Sequence, residues 1–503
     1  MQLQFPQPAR FFYPIFRVTC CSLIFCCVAI VLVSLLGCSG PPTVFAPPAA
    51  KTQQDISLTI SCSDRVMYGV LESWSKAWAK RNGAKLSFVV SDSSDIRILK
   101  AQEWTALAQA DKLLPVPSTF LTEASMYQWS SLVPVYQTTL SRWGLQTYAV
   151  PLLAEGYAFV IRSDLLGEPK FGESFRQKFG REASTIRTWE DLAEVAEHYT
   201  THTKSTALAP LSSDVQRAFI EFSQIAACYD RAPTGGGKVE EGGTDLYRRG
   251  LSFYVDNEKG TTRFDAPAFR AAIDWYSLTA KFRVSRGEPI DCLLNGSAIA
   301  AVVQLSDLVK LPKDSQGVIE SIFSLAPLPG TRKFFNSKGE AAPVATPNFI
   351  PYIGSAGSVG VVMTSTTNAD ACWQLLAELG GPGGSEEFLN EPELGAGPMR
   401  KSHLLQDVKA WRKYRFDDVR TATMTAGLKQ YQAVGTLNPA LALRTPDQAD
   451  VAAIIGSQVR LASTGQKSAE AAYQGILKEW AELDQKTRSE TLKQWRKRAA
   501  GMN

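Results

Sequence analysis

The chain has 503 residues, 45% of them hydrophobic and 20% charged, with 53 Lys+Arg against 49 Asp+Glu. That balance is ordinary for a globular protein and excludes a disordered chain, a collagen-like fibre and a polytopic membrane protein. A formal net charge of +4 gives no reason to expect a nucleic-acid partner, and a chain of this length is expected to form two or three compact units.

Residues 1–37 contain two basic residues, Arg10 and Arg17, and no acidic one. An uncharged, mostly apolar run follows from Val18 to Gly37. Basic first and apolar second is the order of a signal peptide. Leu35-Leu36-Gly37-Cys38 resembles a bacterial lipobox. That resemblance implies cleavage before Cys38 and lipidation of its thiol. The alternative is an uncleaved anchor helix, since the run is long enough to span a bilayer. Both readings place the body outside the cytoplasmic membrane, in the periplasm or on the cell surface. Residues 40–54 are rich in Pro and Ala and read as a tether. Beyond the leader and Cys38, the cysteines are Cys62, Cys228, Cys292 and Cys372, with no CxxC pair. They are expected to be buried thiols rather than zinc ligands.

Ile56, Leu58 and Ile60 alternate with polar residues, which predicts a first strand. Val66 to Lys80 carries its apolar residues at helical spacing. Lys85 to Val90 reads as a second strand, Leu99 to Ala110 as a helix and Lys112 to Val116 as a third strand. Alternating strands and helices predict a parallel sheet with crossover helices. In Thr147 to Arg162, two apolar runs flank Glu155-Gly156. A carboxylate and a glycine interrupting a buried strand suggest a chain crossing between lobes beside a polar cleft. Thr188 fits as a helix N-cap with Asp191 as its capping-box partner. Ala232 to Gly243 reads as a loop whose glycines lack phosphate-cradle spacing.

Further on, Pro267 suits the first turn of a helix over Ala268 to Ala280. Leu293 to Val303 reads as a glycine turn into a buried strand, and Ser324 to Gly330 as the end of another. Gly357 to Met363 is a strand. Asp370 to Leu379 is a helix that Gly380 to Gly384 stops, and Ser468 to Leu483 is a late helix. The basic run Lys493 to Arg498 reads as a solvated helix end.

Several segments occur in an order that resembles one family. They are Val150-Pro151-Leu152-Leu153-Ala154-Glu155-Gly156-Tyr157, Thr188-Trp189-Glu190-Asp191-Leu192, Phe264-Asp265-Ala266-Pro267, Leu294-Asn295-Gly296-Ser297-Ala298-Ile299-Ala300 and Ala326-Pro327-Leu328-Pro329-Gly330. Together, behind a lipobox, they resemble bacterial extracellular solute-binding proteins of family 1, the sugar-capturing receptors of ABC importers. The resemblance runs from about Ile56 to about Leu483. It implies an α/β, periplasmic binding protein-like fold: two α/β lobes joined by a hinge around an interlobe ligand cleft. Carried over, lobe one is 55–154 with 351–400 returning to it. Lobe two is 155–350 with the helices of 401–490, and 491–503 is a basic tail.

The resemblance also implies candidate ligand-binding residues. Asp64 and Arg65 stand where maltose-binding members of the family have an acidic–basic pair, although a charge placed for a helix N-terminus is an equal reading of Asp64. Glu155 matches a sugar-binding glutamate at the first crossing. Tyr157 beside it, Ser118 and Thr119 after the third expected strand, and Tyr352 near a returning crossing complete the set. Lobe two departs from the family. Gln304-Leu305-Ser306 stands where a stacking tryptophan is expected, and Val451 to Val459 holds no second one. Maltodextrin is therefore a doubtful ligand. Trp129 and Trp143 could compensate, with core packing the simpler role for both.

Catalysis finds little support. His198 and His202 share a helix face, but the HExxH glutamate is missing. No GxSxG elbow occurs. The expectation is a monomeric, lipid-anchored receptor without cofactor, metal or enzymatic activity. Its partners would be a small solute, a sugar above all, and ABC permease subunits. The alternatives are the same fold used as a sensor or glycan-binding module without transport, and an enzyme acting on a glycan.

Overall fold

The computed structural model describes residues 56–62, 64–91, 93–133, 136–137, 140–230, 253–256, 259–336, 338–348, 357–405, 412–423, 425 and 443–502. The leader, Cys38, the tether, the 232–243 loop and Tyr352 lie outside the described residues. Among the described residues no helix is long and apolar enough to cross a membrane.

Strand β1 (Ser57–Cys62) feeds helix α1 (Arg65–Asn82). Asp64 starts that helix by accepting from the Val66 and Met67 amides, both at 3.0 Å. The helix buries Met67, Leu71, Ser75 and Trp78 at helical spacing. It ends at Gly83, whose φ of 65° suits a residue without Cβ. The chain returns through β2 (Lys85–Val89) and β3 (Ile96–Lys100). β1 lies parallel to both.

The third strand therefore falls earlier than the sequence suggested. Ile96 and Ile98 alternate inward, and only Thr105–Gln109 of the expected helix forms. Of the expected strand at Lys112 to Val116, Leu113 makes a single bridge to Met363. The apolar run at 96–99 fits either period. Pairing with β1 decides for the strand.

Two more strands follow in direct succession, β4 (Val150–Glu155) and β5 (Tyr157–Arg162). Helix α2 (Trp189–Thr203) opens with the expected capping box. Thr188 Oγ1 accepts from the Asp191 amide at 3.0 Å, and Asp191 Oδ2 accepts from the Thr188 amide at 2.9 Å. Helices α3 (Val215–Asp230) and α4 (Pro267–Thr279) come next, then strands β6 (Ala300–Gln304) and β7 (Phe323–Ala326). Strands β8 (Gly357–Val362) and β9 (Ala396–Gly397) return to the first sheet. Between them Ala369–Gly380 forms a helix, and Pro382 opens a second one (Pro382–Asn390) where the glycines were expected only to stop the first. The chain ends in α5 (Gln448–Ser463), α6 (Ala469–Gln485) and α7 (Ser489–Ala499).

Among the described residues there are two separate principal sheets, and the first belongs to lobe one. It has six strands in the order β9-β4-β8-β3-β1-β2. β8 runs antiparallel to β3 and β4, and β9 antiparallel to β4. Its central strands Val150–Glu155 and Gly357–Val362 are apolar and buried almost throughout, as in buried α/β sheets. Lobe two holds the antiparallel sheet β6-β5-β7. Its helices meet in an aromatic cluster in which Phe264 lies 4.8 Å from Phe269 and 6.1 Å from Trp480. Trp129 and Trp143 are buried core residues. Cys62, Cys228, Cys292 and Cys372 are buried, and among the described residues they form no disulfide. Burial pushes the Cys62 and Cys372 thiols up to about 11, so neither is a ready nucleophile.

The basic run at the C-terminus is not a solvated end. It forms most of α7, and Arg496 is buried, with its guanidinium 2.7 and 2.8 Å from the Asp484 carboxylate. Charge alone misleads here, because a long cationic side chain can bury its stem when a carboxylate meets its head.

Lobe one contains a buried polar knot around Arg400. That side chain donates to Ser385 Oγ and the Tyr127 carbonyl at 2.9 Å, to the Gln128 carbonyl at 3.2 Å, and to Ser131 Oγ and the Gly380 carbonyl. Next to it, His403 Nδ1 accepts from the Met399 amide at 3.3 Å. Burial, with the charges of Arg400 and Lys413, pushes the His403 imidazole down to about 3. An unfolded histidine titrates near pH 6.5. Below that value the unfolded chain takes up a proton that the folded chain refuses, so stability falls as the pH drops toward 3. The stability difference between wild type and His403→Gln should therefore shift by about 2–3 kcal/mol in favour of the variant between about pH 7 and pH 4.5. Urea titrations at both pH values test this. Parallel pH profiles would show that His403 is protonated in the folded state.

Candidate functional site

At one crossing the chain passes from the first sheet to the second through a single residue. Glu155, the last residue of β4, pairs with Ala396 in the first sheet, so lobe one runs one residue past the expected boundary at 154. Tyr157, the first of β5, pairs with Gln304 in the second. Gly156 alone stands between them, and its carbonyl accepts from the Leu305 amide at 2.9 Å. A Cβ on Gly156 would run into the Leu305 side chain and come within 3.2 Å of the Gly397 Cα. A Cβ on Gly397 would lie 2.6 Å from the Glu155 carbonyl oxygen. Gly395, with φ of 59°, presses against the Ser306 backbone. Three glycines thus let the crossing, the short returning strand β9 and the end of β6 lie backbone against backbone.

A cavity of about 390 Å³ opens directly beside this crossing. Its volume is within the range of small-molecule sites. Lobe one contributes Asp64, Lys100, Gln102, Glu103 and Glu155. Lobe two contributes Asp214, Gln216, Arg217, Gln304 and Ser306. The helix N-termini of α1 and α3 both reach it. Asp64 caps the first, and Asp214 Oδ1 accepts from the Gln216 amide at 2.8 Å at the start of the second. Carboxylates, amides and a hydroxyl are therefore drawn from both lobes. None of the described lining residues is aromatic.

A charge triad occupies the floor. Lys100, at the end of β3, places Nζ 3.1 Å from Glu155 Oε1 and 3.7 Å from Asp64 Oδ2. Burial alone would push the Lys100 ammonium down. The Glu155 charge and hydrogen bond, helped by Asp64 and Glu103, instead hold it above its ordinary range. Behind Glu155, the Tyr157 hydroxyl lies 3.5 Å from Oε2 and accepts from Gln304 Nε2 at 3.2 Å. Burial, reinforced by the Glu155 charge, pushes the Tyr157 phenol well above its usual range, so it acts as a neutral hydroxyl. A continuous polar chain therefore runs from lobe one to lobe two through the crossing.

The sequence candidates divide on this geometry. Asp64 and Glu155 line the cavity, and Tyr157 supports Glu155 from behind. Asp64 serves as both helix cap and cavity residue, so its two readings are compatible. Arg65 is exposed on the first turn of α1 and does not line the cavity. Ser118 and Thr119 are exposed in the short turn Ser118–Leu121, also away from it. The basic partner of Asp64 is Lys100, which sequence reasoning missed because that residue fell inside an expected helix. Gln304 and Ser306, noted only as replacements for a missing tryptophan, face the cavity themselves. Elsewhere, His198 Nε2 lies 2.8 Å from Ser174 Oγ, and its ring packs against Phe171, Phe175 and Phe179. That surrounding is a packing environment.

No protein-family model and no curated protein matches the chain. Solved structures do, over most of its length. Maltose-bound MalE3 of T. maritima has a TM-score of 0.56 at 16% identity, covering 85% of this chain and 100% of its own. The sugar-binding protein MalE of Xanthomonas citri has a TM-score of 0.58 at 15% identity, covering 87% and 97%. An ABC transporter solute-binding protein of Agrobacterium vitis with bound D-mannitol has a TM-score of 0.54 at 13% identity, covering 86% and 99%. The chain thus has the two-lobed α/β fold of periplasmic binding proteins and resembles maltose-binding proteins in architecture.

The crossing makes its own test. Gly156→Ala must displace Leu305 or the Gly397 backbone, at a cost of about 1–3 kcal/mol. A lowered urea midpoint checks this. A variant within about 0.5 kcal/mol of wild type would mean the close approach is readily relaxed.

Proposed function

We propose that the protein is an extracytoplasmic receptor that captures a carbohydrate or related polyhydroxylated solute between its lobes and delivers it to an ABC-type importer. The observation that carries this reading is the cavity at the crossing, lined from both lobes by hydrogen-bonding groups. Sugar hydroxyls both donate and accept, and the carboxylates, amides and serine here supply both kinds of partner. In this reading Glu155 and Asp64 accept from ligand hydroxyls, and Lys100 and Gln304 donate. A ligand held by both lobes is bound more tightly by the closed form, and so shifts the balance toward it. Two of the similar structures carry maltose and D-mannitol, which supports a polyhydroxylated solute. The lipobox-like Cys38 would tether the receptor to a membrane, with residues 40–54 as spacer.

The reading is tested on the chain from Ser39 onward, screened for thermal stabilisation by sugars, polyols and related solutes. A ligand at 100 times its dissociation constant adds about 2.7 kcal/mol of stability. Glu155→Gln replaces an ionic acceptor by a neutral one and should weaken binding by about tenfold or more, or about 1.5 kcal/mol. The bound solute should be recovered chemically unchanged. Undiminished binding in Glu155→Gln would remove that residue from the site, and conversion of the solute would replace the receptor by an enzyme.

A further inference from the structure

Helix α7 touches both lobes within a single turn. On the lobe-two side, the Arg496 guanidinium pairs with Asp484 at the end of α6 and donates to the Gly260 carbonyl. Lys493 also packs against Gly260, so closely that a Cβ there would lie 2.8 Å from its Cγ. On the lobe-one side, the Arg498 carbonyl accepts from the Gly144 amide at 2.8 Å, and Arg498 Nη1 lies 3.4 Å from Gln109 Oε1. Arg444, just ahead of α5, is buried and reinforces this contact. It donates to the Arg142 carbonyl at 2.8 Å and to the Ala499 carbonyl of α7.

Gln109, Arg142 and Gly144 belong to segments packed on the first sheet, whereas Gly260 and Asp484 belong to the helical body of lobe two. Arg496 and Arg498 are two residues apart on one hydrogen-bonded helix. That spacing cannot stretch. A relative displacement of the lobes here larger than the slack of a hydrogen bond must break one set of contacts or the other.

We propose that α7 is a strap that couples the two lobes and restrains their relative rotation, and so sets the open–closed balance of the cleft. The functional consequence rests on the receptor reading above, but the mechanical one does not. The basic run 493–498 thereby gains a role: Arg496 holds one lobe while the turn at Arg498 holds the other.

The test measures interlobe distance without ligand, in the chain from Ser39 onward, whose described residues supply both lobes and their cores. Spin labels go on Lys76→Cys in lobe one and Glu173→Cys in lobe two. Both positions are exposed, and Cys62, Cys228, Cys292 and Cys372 are buried. Pulsed dipolar spectroscopy then compares the background protein with Arg444→Met and with Arg498→Ala. The expected result is a broadened, shifted distance distribution in both, larger for Arg444→Met. If Arg444→Met does not fold, Arg498→Ala alone decides, since its half-buried side chain makes one long hydrogen bond. Distributions that superimpose on the background overturn the strap. A solute screen without hits would count against the receptor reading and leave this measurement unaffected.

Discussion

The architecture depends on one close approach, the passage of the chain through Gly156. Two sheets with different neighbours must be joined without a loop, because β4 ends at Glu155 and β5 begins at Tyr157. A side chain at the junction would collide with Leu305 and crowd the Gly397 backbone of β9. Gly395 and Gly397 solve the same problem from the returning strand. The crossing is therefore a packed backbone contact with little internal freedom.

The same constraint creates the chemistry of the site. Because the strand turns away after Glu155, that carboxylate is left at the end of an otherwise apolar strand, only 14% exposed. A charge so placed is costly unless it is paired. Lys100 supplies the pair from the neighbouring strand end, and Asp64 and Tyr157 complete its surroundings. The polar floor is thus a consequence of where two strands must stop. Asp64 shows how little is left over: one carboxylate oxygen satisfies a helix N-terminus and the other faces Lys100.

Much of this was legible from the sequence where local chemistry is decisive. The Glu155-Gly156 interruption marks the crossing, the Thr188 and Asp191 pair marks a helix start, and the apolar periodicity of 66–80 marks α1. The two-lobed fold was implied by the resemblance of these motifs, in their order, to one family. What was not legible depends on partners distant in sequence. Ile96-Arg97-Ile98-Leu99-Lys100 becomes a strand only because β1 and β8 flank it, and this hid Lys100. Helix α3 was missed, and with it Asp214, Gln216 and Arg217. Arg65, Ser118 and Thr119 were carried over from a resemblance of position, and their side chains are set by local turns that point them to solvent. The burial of Arg496 needs Asp484 on a different helix, which no local pattern reveals.

In the proposed receptor, a cleft built this way recognises its ligand by direction rather than by stacking. An aromatic platform contributes a large apolar area with loose angular demands. A hydrogen bond contributes about 0.5–1.5 kcal/mol net and is lost when its geometry is poor. With no aromatic among the described lining residues, affinity has to come from several well-placed polar contacts made at once, from both lobes. That makes the relative position of the lobes part of the binding site. A packed crossing at Gly156 and a helix gripping both lobes near Arg496 and Arg498 limit the positions the lobes can take. In the proposed receptor, fewer accessible positions mean less ordering cost on closure, and a polar site of modest individual contacts gains affinity by that saving.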